Sequence, residues 1–423
     1  MTRARRLFAV ALTFALALAV FAATRGGERA AAGPPSVAAP SLRPDADPDA
    51  SLRRLQAAVR SGAPREAELA AAYIQKARES GDPSFITRAN GVLRRALARG
   101  PEDPAELAEA ATLAAERHDF RDAERLARRA RALAPDSIGA LPILVDALVE
   151  LGRYREAERT LQRLVDLKPN LSSYARVSYF RELTGDLAGA AEALQLAIDA
   201  GGPVPENIAY VQSLLGSLEL GRGRLAEARR AYAAALAAIP GYAPALVGRA
   251  QLAARSGNLS GAIARWRDLA ARQPLPEYTI ALGEAELASG RTAAGRAHVA
   301  EGVAQEARAG HTDVDAALTE ADHGDRRRAV ELARAVWDQA PSVRSADALG
   351  WALTRAGRPR AGLAWARRAL KLGSLDPLFR YHAGMAAFAA GRDGRRDLRL
   401  ALRHGLGAHP MHARRARAAL EAG

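Results

Sequence analysis

Two stretches of the chain gather side chains that could hold a cation. In "GHTDVDAALTEADHGD", residues His311, Asp313, Asp315, Glu320, Asp322, His323 and Asp325 stand close together. A calcium loop sets oxygen ligands at alternating positions around a glycine, and neither that spacing nor that glycine is present. The stretch reads instead as a polar helix followed by an Asp-bearing turn. In "RHGLGAHPMH", His404, His409, Met411 and His412 combine imidazole and thioether groups, ligands that suit copper or zinc. Its plainer reading is a helix ending at Gly405, a loop, and the start of a final helix. No metal site is assigned to either stretch. A metal-handling or hydrolytic accessory role for the C-terminal histidines stays open as the alternative to the main reading.

Elsewhere the chemistry-bearing patterns are absent. No glycine-rich phosphate loop joins a strand to a helix, and there is no His-Glu-x-x-His or Gly-x-Ser-x-Gly. Carboxylates are spread among arginines three or four residues apart, as on solvated helix faces. The chain has 423 residues and no cysteine, which excludes disulfides, thiolate catalysis, zinc-cysteine sites and a lipidated N-terminal cysteine. The sequence therefore predicts a protein that is not an enzyme and needs no cofactor.

The N-terminal region reads as an address. Arg3, Arg5 and Arg6 precede an apolar run from Leu7 to Ala23 broken only by Thr13, the pattern of a signal peptide or signal anchor over residues 1–32. Arg5-Arg6-Leu7-Phe8 resembles part of a twin-arginine signal. Such a start holds the basic end inside and sends the rest outside, so the protein is expected to be secreted or anchored to the outer face of the cytoplasmic membrane. Residues 33–50 are Pro/Ala-rich without periodicity and read as a disordered linker.

From Ser51 onward apolar residues recur at three and four, which predicts helices, and short Gly, Asp or Pro signals such as "LGRY", "TGDL" and "SGNL" break them. With aromatics at only 5%, the composition suits close-packed helices better than sheets. The breaks keep a register: Pro101, Pro135 and Pro169 are 34 residues apart, as are Pro240 and Pro274. An alanine keeps the same beat at Ala89, Ala123, Ala157, Ala190, Ala228, Ala262 and Ala329.

This pattern resembles the tetratricopeptide repeat, with Ala228-x3-Tyr232 leading to Pro240, Ala262-x3-Trp266 to Pro274 and Ala157-x3-Leu161 to Pro169. Leu215-Gly216 and Leu349-Gly350 keep the Leu-Gly pair of the first helix, while Leu141, Leu144, Val145 and Leu148 replace its pattern with aliphatics. The resemblance implies an all-α solenoid of about ten helix-turn-helix repeats in a right-handed superhelix. A cap over 51–69, an array over 70–410 and a capping helix over 411–423 complete the layout. Each helix pair carries an apolar stripe that only its neighbours can cover, so the unit must be repeated.

Solenoids of this kind bind an extended segment or helix of a partner in a concave groove lined by the first helix of each repeat. The groove-facing candidates are Asp146, Glu150, Tyr179, Glu182, Tyr210, Ser213, Gln251, Arg255, Trp351 and Arg355. The partner is expected to be a protein or peptide. The net charge of +14 is unevenly placed, since residues 341–423 carry sixteen basic groups against five acidic ones. Arg392, Arg395, Arg396, Arg399, Arg403, Arg414, Arg415 and Arg417 form a basic patch expected to meet an anionic membrane, a wall polymer or an acidic protein. The export signal and the lack of interleaved aromatics argue against nucleic acid.

Overall fold

The computed structural model describes residues 48–80, 84–100 and 102–422. The expected export segment and almost all of the linker lie outside these residues. Among the described residues there are 22 α-helices and no strand. A lone helix α1 (Pro48–Arg60) precedes ten helix pairs. These are α2 (Glu66–Ser80) with α3 (Ser84–Leu97), α4 (Pro104–Glu116) with α5 (Phe120–Leu133), and α6 (Leu141–Glu150) with α7 (Tyr154–Leu167). Next come α8 (Leu171–Thr184) with α9 (Leu187–Ala200), α10 (Pro205–Gly221) with α11 (Leu225–Ala238), and α12 (Ala243–Arg255) with α13 (Leu259–Arg272). The last four are α14 (Pro276–Ala288) with α15 (Thr292–Ala309), α16 (Val314–His323) with α17 (Arg326–Gln339), α18 (Val343–Arg355) with α19 (Pro359–Ala369), and α20 (Pro377–Ala389) with α21 (Arg395–Arg403). Helix α22 (Pro410–Ala422) closes the chain. The fold is an all-α helical-repeat solenoid. No described helix is long and apolar enough to cross a membrane.

The short signals between helices act as caps. Asp186 of "TGDL" accepts from the Gly189 backbone N–H at 2.9 Å, and Asn258 of "SGNL" accepts from Gly261 at 2.8 Å, satisfying donors that a helix start leaves open. The glycine before each cap has a left-handed backbone, φ 84° at Gly185 and 81° at Gly257, which other residues adopt only with strain. Proline then stands just beyond the second helix of a pair, as Pro135, Pro169, Pro240, Pro274 and Pro341 do, where it cannot continue the helix.

Packing explains the alanine beat. Ala89, Ala123, Ala157, Ala190, Ala228, Ala262 and Ala329 are all 0% exposed, so any larger side chain would force paired helices apart. Bulky residues fill the gaps between pairs. Tyr232 of α11 lies between Gly216 of α10 and Gly248 of α12, where an added Cβ would stand 2.5 Å and 2.2 Å from its ring. In the seventh pair, where the alanine beat skips from Ala262 to Ala329, glycine takes over the role of alanine. A Cβ on Gly283 of α14 would lie 2.7 Å from the Gly295 carbonyl oxygen of α15.

The described residues divide into two compact units, with the boundary between residues 144 and 145. The first packs around Leu55, Leu69, Tyr73, Ile74, Leu93 and Leu113. In the second, the late helix pairs lie against the early ones. The Tyr154 hydroxyl accepts from the Val343 N–H at 2.7 Å, 189 residues away. The turn at Gly152 abuts Pro341, and that at Gly185 abuts Gly373. The Arg255 guanidinium donates to the carbonyls of Leu402 at 3.3 Å and Arg403 at 2.9 Å, and Arg414 donates to that of Leu287 at 3.2 Å. The turns inside early pairs thus meet the connections between late ones, and the unit is closed by its own C-terminal helices.

Candidate functional site

That closure decides where the expected groove residues sit. Asp146 in the middle of α6 and Arg176 on α8 form a buried two-point ion pair, Nε–Oδ1 2.9 Å and Nη2–Oδ2 2.7 Å. Burial raises the Asp146 carboxyl against the pull of that guanidinium. Glu150 is buried beside Ser342 and the Arg344 charge, both from the late part of the chain, and burial raises its carboxyl too. Tyr210 and Ser213 are buried, while Tyr179, Glu182 and Gln251 are half-buried. Crowding of Glu182, together with the Asp376 charge, pushes its carboxyl up to about 7.

Asp146, Glu150, Tyr210 and Ser213 are thus buried rather than open to a groove, and three further expected groove residues need correction. Trp351 does not face a groove: it is a 2% exposed core residue stacked on His382 and against Tyr381. Arg255 is engaged with the chain's own carbonyls at Leu402 and Arg403. Arg355 donates to the Ala321 carbonyl at 3.0 Å and lies over the Trp351 ring. Helical period alone shows which residues share a face, and it cannot show that a later part of the chain covers that face.

The two cation candidates of the sequence are also re-sorted. Asp313 and Asp325 cap α16 and α17, and Glu320 accepts from the Asp325 N–H at 2.7 Å. His311 meets Glu306 at 2.8 Å. Glu320 is buried beside its own turn, whereas Asp322 and His323 reach other helices, His323 meeting Glu284 of α14 at 2.8 Å. The C-terminal histidines likewise part company. His404 stands near Arg255, Arg380 and Arg403, where burial and these charges lower its pKa. His412 reaches Asp322 at 3.1 Å.

The structure adds a residue that the sequence reading passed over. His382 of α20 meets Asp347 of α18, Nδ1–Oδ2 2.8 Å, with both side chains 2% exposed. Asp322, His382 and His412 each bring one ligand atom to within 4.8 Å of the other two. They stand 60 and 30 residues apart in sequence, so no local motif could have revealed them. The His-Asp pairing of buried groups is the only kind of signal that could, and it needs the fold.

The basic patch lies partly on open surface. On α21, Leu398 and Ala401 are buried while Arg396, Arg399 and Arg403 are exposed at helical spacing. Arg392, Arg414 and Arg417 are exposed as well. Arg395 is half-buried near Asp393 at 3.5 Å. Arg415 leaves the patch, since its guanidinium turns to Asp322 at 3.4 Å.

Residues 114–178 match the family model described as Tetratricopeptide repeat. A search of curated proteins finds no match. Among solved structures, the chain is similar to TTC0263, a thermophilic TPR protein of Thermus thermophilus, at 24% identity over 43% of this chain and 98% of that one, TM-score 0.37. It is similar to the type IV pilus biogenesis factor PilW at 18% identity over 48% and 93%, TM-score 0.42. It is also similar to human IFIT1 crystallised as a dimer with PPP-AAAA, at 16% identity over 77% and 79%, TM-score 0.51. At such identities the likeness concerns fold. The chain is thus a helical-repeat solenoid with a tetratricopeptide-repeat segment at 114–178, an architecture that serves protein binding in general.

Proposed function

We propose that the protein is a non-catalytic protein-binding scaffold acting outside the cytoplasmic membrane, and that it receives an acidic segment of a partner protein on the basic outer face of α21 and α22. The observation that carries this reading is the face of Arg396, Arg399 and Arg403, exposed over buried Leu398 and Ala401. It belongs to a stretch, residues 341–423, with an excess of eleven positive charges. The groove expected along residues 146–355 is a poorer candidate, because its residues are buried or engaged by other parts of the chain. The external location rests on Arg3, Arg5, Arg6 and the apolar run that follows.

Attraction of this kind is screened as the Debye length falls from about 10 Å at 0.1 M salt to about 3 Å at 1 M. The test is binding of a labelled oligoglutamate peptide, beside anionic and neutral vesicles, by the chain from residue 48 and by its Arg396→Glu/Arg399→Glu/Arg403→Glu variant. The expected result is peptide binding at 0.1 M salt that is lost at 1 M and weakened at least tenfold in the variant. Equal binding by both proteins would remove this face as the site, and binding to anionic vesicles alone would replace the protein partner with a lipid surface.

A further inference from the structure

We propose that Asp322, His382 and His412 form a site for one divalent transition-metal ion of the zinc class, which ties α16, α20 and α22 together. The three side chains come from separate helices and present their ligand atoms within 4.8 Å of one another. A tetrahedral ion with bonds of about 2.0–2.1 Å sets its ligand atoms about 3.4 Å apart, so the site needs only a small contraction around the ion. Two imidazoles and one carboxylate suit zinc, cobalt, nickel or copper, whereas calcium and magnesium take oxygen shells.

The ligands are held as a metal site holds them. His382 engages the Asp347 carboxylate through Nδ1 at 2.8 Å, which leaves Nε2 as the coordinating atom, the carboxylate–histidine arrangement that fixes tautomer and ring orientation. The Trp351 ring stacks on His382 with centroids 4.5 Å apart, and the Tyr381 ring meets His412 edge-on at 4.9 Å. Asp322 is steadied at Oδ1 by Arg415. His412 is 5% exposed, and its Nδ1 has no hydrogen-bond partner, although a buried imidazole nitrogen ordinarily finds one. Its Nε2 faces the Asp322 carboxylate at 3.1 Å, so an ion bound by both takes the place of the proton they share.

The surroundings strengthen the case. The chain has eight histidines, and His323, His382, His409 and His412 gather in this one region. The His409 ring lies 6.1 Å from that of His412, and His323 is held by Glu284. Asp322, Asp347 and Glu284 supply three carboxylates against the nearby guanidiniums of Arg415 and Arg355, so an entering cation meets compensating charge. None of the three ligands lies on the exposed basic face, so this site and the scaffold reading stand or fall separately.

The test uses the full chain stripped with a chelator and titrated with Co(II) alone and then Zn(II) alone, with helical circular dichroism as the check on folding. The expected result is one ion per chain and the strong visible absorption of four-coordinate Co(II), discharged by Zn(II). His382→Gln and His412→Gln should abolish the spectrum, and Asp347→Asn should weaken affinity about 10–100-fold. His404→Ala should leave both unchanged. A folded wild-type chain that takes up no stoichiometric ion would overturn the proposal, as would a spectrum unaltered in the folded His382→Gln and His412→Gln variants. If those variants fail to fold, the wild-type spectrum decides: weak, octahedral-type absorption counts against the site.

Discussion

At the residue scale, the second unit is unusual in how many ionisable groups it draws inward. Asp146 is paired with Arg176 and still raised by burial, and burial raises the carboxyls of Glu150, Glu182 and Glu277 as well. Burial, together with the nearby Asp315 and Glu306 charges, pushes the Glu277 carboxyl up to about 8, with His311 opposing. Glu182 is pushed up to about 7. Both groups bind a proton more tightly when folded than when unfolded, where a glutamate titrates near about 4.3. Stability is therefore full at low pH and is lost as pH rises from that unfolded value through the folded one. The melting temperature should fall between pH 5 and 8. Glu277→Gln and Glu182→Gln should flatten that fall, Glu277→Gln up to the higher pH, by about 2–4 °C for each kcal/mol recovered. A melting profile unchanged in both variants would show that neither carboxyl is held neutral. Little of this was legible in the sequence. Helical period puts Arg255 and Trp351 on the groove because it reports a face and not its cover. Asp322 stood out as one of a local acidic cluster, yet its true neighbours are His382 and His412, far along the chain.

At the element scale the sequence is far more informative, because each helix pair is written locally. Proline ends, Asn and Asp caps and the alanine beat all act within 34 residues, and the ten pairs follow them. The seventh pair drops out of the alanine beat because Gly283 and Gly295 do there what alanine does elsewhere. The Tyr232 slot gives a test with an unusual sign. In an exposed helix interior, Gly→Ala stabilises by about 1 kcal/mol, but a Cβ on Gly248 would stand 2.2 Å from the Tyr232 ring. Gly248→Ala should therefore destabilise by about 1–3 kcal/mol through overpacking, measured by urea unfolding. Pairing it with Tyr232→Leu should remove most of the loss. Stabilisation by Gly248→Ala alone would mean that Tyr232 does not fill the space between α10 and α12.

At the scale of the whole molecule, a repeat array is expected to be held by nearest-neighbour contacts, and residues 145–423 depart from that rule. Tyr154 with Val343, Gly185 with Gly373, and Arg255 with Arg403 join parts of the chain far apart in sequence. Period counting cannot show this, since it depends on how much each pair turns relative to the last. These contacts should make the unit unfold more cooperatively than a simple array. They also mean that deleting residues after Pro341 would strip the early helices of their cover. The chain's lack of cysteine permits a direct test of the closure. A Cβ on Gly407 would lie 3.6 Å from the Arg255 Cα, within reach of disulfide geometry. In the Arg255→Cys/Gly407→Cys variant, mild oxidation should close a single intramolecular disulfide with the helical signal intact, seen as a faster band on a non-reducing gel. Two thiols that stay free in the folded protein, or that link only between molecules, would contradict the closure of the unit on itself.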